Sequence, residues 1–115
     1  MHLIAKGTIL IWCEHHPDAA EPLKAWAAKA RVAKWGCMSD IQNSMPGSPS
    51  PVGADRVVFD IHGGNYRLVC AVDFARQKIF AKWFGSHAQY NKIDVKTVEF
   101  QRPKPISKPD GKADD

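Results

Sequence analysis

The sequence predicts an α+β domain: two N-terminal helices packed on one face of a mainly antiparallel sheet of about four strands, followed by a short C-terminal helix. Three observations predict it. Leu23, Trp26, Ala27 and Ala30 recur at i, i+3, i+4 and i+7, which draws one apolar stripe along a helix. Residues 56–84 hold three runs that alternate apolar and polar side chains, the pattern of strands with one face buried. Gly63 and Gly64 separate the first two runs, and a two-residue turn there can take positive φ at both positions. A chain of 115 residues is one domain, not two, and 44% hydrophobic residues are enough for a core.

His2 to Lys6 reads as a short strand that Gly7 breaks. Thr8 is a candidate cap for a helix through His15, with Leu10 and Ile11 among its inward residues. Pro17 and Asp18 end that helix and start the next, which runs to about Lys34. Pro22 belongs to its first turn, because a proline further in would break the backbone ladder. Trp26 and Trp35 are core or lid residues. Residues 36–55 are expected to be a long surface loop with a single turn from Asp40 to Ser44. Pro46, Gly47, Pro49, Pro51 and Gly53 oppose regular structure there.

With Gly63-Gly64 as the turn, Ile61 faces Tyr66, Asp60 faces Arg67, Phe59 faces Leu68 and Val57 faces Cys70. A second tight turn at Ala75-Arg76 sets Val72 opposite Ile79, Cys70 opposite Ala81 and Val69 opposite Lys82. Unbroken alternation then puts Ile79, Ala81 and Trp83 in the core. It gathers Arg56, Arg67, Lys78 and Lys82 on the other face, interleaved with Phe80 and Phe84. Gly85 is expected to stop the third strand, and Ser86 to cap a helix from His87 to about Lys92. The single domain spans residues 1–98. Residues 99–115, rich in proline and charge, are expected to be a disordered basic tail.

The formal net charge of +4 is unevenly distributed. Residues 1–55 hold five Lys or Arg against five acids, whereas residues 56–100 hold seven against four. A cationic half points to a polyanionic partner such as RNA, DNA or an acidic protein. Three cysteines without a CxxC pair argue against a disulfide framework and for a reducing cytoplasm. Cys13, His15 and His16 match no standard zinc spacing, so no metal and no cofactor are expected. His2, His15, His16 and His62 carry no strong functional signal. No run approaches membrane-spanning length.

Cations between aromatic rings suit phosphates and stacked bases. His87 and Tyr90 stand one helical turn apart where the last strand ends. RNA is cut when its own 2′-hydroxyl attacks the adjacent phosphorus. That reaction needs a proton removed, a phosphorane stabilised and a leaving 5′-oxygen protonated. His87 is the candidate for proton transfer, since its ordinary pKa of about 6.5 lies near neutrality. Tyr90 is the candidate for orienting phosphate, and Arg67 and Lys82 for binding the scissile group. Arg56 and Lys92 would hold flanking phosphates, with Lys78, Phe80 and Phe84 completing the RNA-binding face.

Three blocks carry a family resemblance: IAKGTILIWCEHHPDAAEPLKAW, DRVVFDIHGGNYRLV and FGSHAQYNKID. Together, over about residues 1–98, the chain resembles the HigB-type mRNA interferase toxins of bacterial type II toxin–antitoxin systems, in the RelE/ParE-like superfamily. The resemblance implies an endoribonuclease that acts on mRNA, on the ribosome. It implies a cognate helix-turn-helix antitoxin, with operator DNA reached only through that antitoxin. His87, Tyr90 and Arg67 fall on the family's closing and hairpin motifs. Lys82 stands where that family suggests Arg, keeping the charge but losing the bidentate fork. Asp60 stands in place of Asn, and Asn91 in place of Asp. The competing reading is a non-catalytic basic binding module, or a ParE-like toxin directed at DNA gyrase.

Overall fold

The computed structural model describes residues 1–4, 6–47 and 49–99. The expected tail lies outside the described residues except at Glu99. A five-stranded sheet forms the centre, with β1 (His2–Ile4), β2 (Ser50–Val52), β3 (Arg56–Ile61), β4 (Tyr66–Asp73) and β5 (Lys78–Ser86) in the spatial order β1-β5-β4-β3-β2. All neighbours are antiparallel except β1 and β5, which are parallel. The expectation of about four strands falls one short because the proline-rich loop contributes β2. Pro51 cannot donate to a ladder, but an edge strand tolerates that.

The helical layer comprises α1 (Lys6–His15), a 3-10 turn (Pro17–Ala19), α2 (Ala20–Val32) and α3 (Met38–Ser44); the short α4 (His87–Tyr90) follows β5. Leu23, Trp26, Ala27 and Ala30 are all buried, as their spacing requires. Trp26 meets Phe59 of the sheet with ring centroids 5.2 Å apart. α1 begins two residues before Thr8. Ile9, Trp12 and Cys13 form its inward stripe at i, i+3 and i+4, and Ile11 is also buried. Leu10 falls outside that stripe and is 57% exposed, which corrects its expected inward placement. α3 is a full short helix anchored by buried Ile41. The Trp35 indole Nε1 donates to Ser44 Oγ at 2.7 Å and ties α3 to the core. Among the described residues no helix is long and apolar enough to cross a membrane.

The first hairpin has the register that its turn dictates: Asp60 pairs Arg67, Phe59 pairs Leu68 and Val57 pairs Cys70. Gly63 and Gly64 take φ of +64° and +91°, and Asn65 N donates to His62 O at 3.2 Å. Val57, Phe59, Ile61, Leu68, Cys70, Val72, Ile79 and Ala81 meet the helices in one core.

The second hairpin departs from unbroken alternation. Cys70 pairs Ala81, but Val69 pairs Trp83, so Lys82 is one extra residue in β5: a β-bulge. Beyond it every side chain changes face. Phe84 pairs Leu68, is 6% exposed and belongs to the core. Trp83 pairs Val69 and turns to the second face. The expected placements of Trp83 and Phe84 are therefore exchanged. Gly85 does not stop β5, which continues through Ser86.

Candidate active site

The second face is not an open cationic surface. Val58, Val69 and Ala71 point to it by register and are buried. Arg56 is buried there too, and its guanidinium binds the chain that follows α4. Nη1 donates to Val95 O at 3.3 Å and to Val98 O, and Nη2 pairs with the Glu99 carboxylate at 3.3 Å. Arg56 thus clamps residues 95–99 onto the sheet. Its side chain is buried rather than open to solvent, because alternation fixes a side chain's face but not what later covers it.

The candidate residues form two groups. At the Ser86 end of β5, Arg67 lies opposite Gly85. Its Nε pairs with Asp60 Oδ1 at 3.2 Å, and Nη1 donates to Gly64 O at 2.5 Å and Tyr66 O at 3.4 Å. Those three bonds fix the guanidinium, whose carbon stands 5.8 Å from the Tyr90 ring centroid. His87 lies one turn before Tyr90 on the same short helix. Its backbone N–H donates to Asn65 O at 3.0 Å, which ties the helix start to the first hairpin turn. Asn91 Nδ2 lies 3.3 Å from His87 Nδ1. With the amide as donor, a neutral His87 carries its proton on Nε2, the nitrogen left to meet a substrate.

α4 has only four residues, so its cap must hold it. Ser86 Oγ accepts from Gln89 N at 3.2 Å, and Gln89 Oε1 accepts from Ser86 N at 2.9 Å. Gly85 is required for the same corner. A Cβ there would stand 2.7 Å from the Trp83 ring and from Gln89 Oε1. The Trp83 ring therefore lies across the glycine, with its centroid 6.1 Å from that of Tyr90. Trp83, Gly85, Gln89 and Asn91 are supporting residues that the sequence reading assigned elsewhere or passed over. The Ser86-x-x-Gln89 spacing was the signal available for one of them.

The second group is Arg56, Phe80 and Lys82. Lys82 Nζ lies 3.3 Å from Glu99 Oε1 and 5.9 Å from the Phe80 centroid. Its ammonium is thus committed to Glu99 rather than to the Arg67 corner. Lys78 is at the far end of β5, eight residues before Ser86, or roughly 26 Å of strand. Lys92 lines a cleft of about 320 Å³ with Trp12, His15, His16, Trp83 and Phe84. His16 packs edge-on to Tyr66 and Phe84, with centroids 5.0 and 5.4 Å away. Burial, helped by neighbouring His15, lowers its pKa below the ordinary 6.5. Tyr66 Oη donates to Asp18 at 2.8 Å, and that bond holds the Asp18 carboxyl below its usual range.

Helices on one face of a mostly antiparallel sheet, with a short helix closing the last strand, make this an α+β fold of the RelE-like kind. A family model described as HigB toxin, a RelE-like toxic component of a toxin–antitoxin system, matches residues 19–93 of the 115. The chain belongs to the HigB toxin family. Membership implies an antitoxin as its partner. The match leaves out α1 and the 94–99 segment. No curated protein matches the chain significantly.

Proposed function

We propose that this toxin is an endoribonuclease that cuts mRNA in the cytoplasm, on the ribosome, by metal-independent attack of the 2′-hydroxyl on the adjacent phosphate. The observation that carries this reading is the corner where Arg67 stands beside Tyr90, with His87 one turn earlier on the same helix. A sheet that only bound an anion would need the cation but not the imidazole and phenol.

In the proposed reaction the 2′-oxygen bonds to phosphorus and the bond to the 5′-oxygen breaks. His87 moves the proton, and Arg67 opposes the charge that accumulates on the phosphorane oxygens. Tyr90 orients the phosphate. Asp60 and Gly64 hold the arginine before substrate arrives, so little reorganisation is needed. Lys82, Arg56, Phe80, Lys78 and Lys92 would serve flanking nucleotides. The cognate antitoxin would carry a helix-turn-helix domain and bring the pair to operator DNA.

The test is induced expression of wild type, His87→Ala and Arg67→Ala, with mapping of transcript ends. Wild type should arrest growth and cut within coding regions. Each variant should lose at least about 10²-fold in cutting, the scale of one proton-transfer group or one oxyanion donor, while keeping its circular dichroism. Growth arrest with intact transcripts would refute the nuclease and favour the gyrase-directed or binding reading.

A further inference from the structure

We propose that Glu99 closes a phosphodiester-binding site formed by Arg56 and Lys82, and that residues 94–99 must lift before RNA occupies it. This rests on the reading that the toxin binds RNA. Two strands bring the cations together, and one carboxylate bridges both: Oε2 meets Arg56 Nη2 and Oε1 meets Lys82 Nζ, each at 3.3 Å, while Arg56 Nη1 also donates to the Val95 and Val98 carbonyls. Two oxygens on one centre bridging two donors is also how a phosphodiester would sit.

The burial is asymmetric. The Arg56 and Lys82 side chains are 8% and 23% exposed, but Glu99 is 72% exposed. A solvated carboxylate gains little from such pairs. A shielded cation left without an anion is costly. The site therefore demands an anion but holds the present one weakly. Beside it lies a hollow of about 640 Å³ whose walls include Ala71, Phe80 and Lys82. The Phe80 ring offers a stacking surface for a base next to the bound phosphate. Asp55 and Asp73 also line the hollow, so its anion-attracting part is the Arg56–Lys82 corner.

The segment is built as a removable strap. Asp94 organises it internally: its carboxylate accepts from Lys96 N at 3.1 Å, and its carbonyl from Thr97 N at 3.2 Å and Val98 N at 2.9 Å. It can lift as a unit once the Arg56 and Lys82 contacts break.

The experiment measures the affinity of the full chain for a single-stranded RNA with 2′-O-methyl riboses, which binds but cannot be cut. Wild type, Glu99→Gln and the control Glu21→Gln are compared by fluorescence anisotropy across a salt series. Glu99→Gln should bind at least fivefold tighter, and Glu21→Gln within twofold of wild type. The salt slope of Glu99→Gln should steepen by about 0.7, for the one further phosphate neutralised. Adding Lys82→Gln to Glu99→Gln should reverse most of the gain. Equal affinity for the two single variants, or weaker binding by Glu99→Gln, would overturn the proposal. Tighter binding by Glu99→Gln without any cutting of natural RNA would keep the strap and remove the nuclease.

Discussion

The β-bulge at Lys82 decides which aromatic residue holds the fold together, and two substitutions read it out. Phe84 is 6% exposed and touches three rings: Trp12 at 5.8 Å, His16 at 5.4 Å and Tyr66, stacked at 5.4 Å. Phe84→Ala removes that burial and leaves a cavity beneath α1, at a cost of about 3–5 kcal/mol. A small domain has about 5–15 kcal/mol in total. At about 4 °C per kcal/mol the melting temperature should fall by roughly 12–20 °C. Trp83 is partly exposed and covers Gly85 and Tyr90 on the other face. Trp83→Ala should cost only about 1–2 kcal/mol of lost burial. Thermal and urea unfolding of the two variants make the comparison. A larger loss for Trp83→Ala than for Phe84→Ala would mean that β5 alternates without interruption, and would refute the reasoning.

Gly85→Ala drives a Cβ to 2.7 Å from both the Trp83 ring and Gln89 Oε1. It should displace the ring, open the capping box and cut activity at least tenfold, with only modest loss in melting temperature; unchanged activity would show that the corner does not depend on this notch. Stability should also decline on acidification. His16 is held neutral by burial, so the unfolded chain takes up its proton first, near pH 6.5. Its contribution is complete above that pH and is lost as pH falls toward the lower folded value. Asp18, hydrogen-bonded by Tyr66, adds a second loss below its ordinary 3.8. Melting curves from pH 8 to 5 should fall for wild type and flatten for His16→Phe; parallel curves would assign the decline to another group.

The features that local chemistry dictates were readable. Gly63-Gly64 marks where the chain turns, and that position fixed all the pairs from Asp60–Arg67 to Val57–Cys70. The Leu23 stripe settled the buried face of α2. Two things were not readable. A bulge adds one residue without a distinctive side chain, so counting past Lys82 put Phe84 outside and Trp83 inside. Arg56 was placed on the correct face, but its partners are forty residues away in a segment with no periodic pattern. Of the candidate site, Arg67 stands beside Tyr90, and His87 starts the same short helix, because a turn and a cap set their positions. Lys82 departs because a distant carboxylate competes for it.

The parallel pairing of β1 with β5 joins residues 2–4 to residues 78–80. At a synthesis rate of about 5–20 residues per second, a nascent chain waits roughly 4–15 s between making the first of these strands and the second. Every residue of the Arg67–His87–Tyr90 corner also comes from the latter half. A truncated product therefore has an unpaired strand and no corner, and the candidate centre exists only once translation has passed the last turn of the sheet.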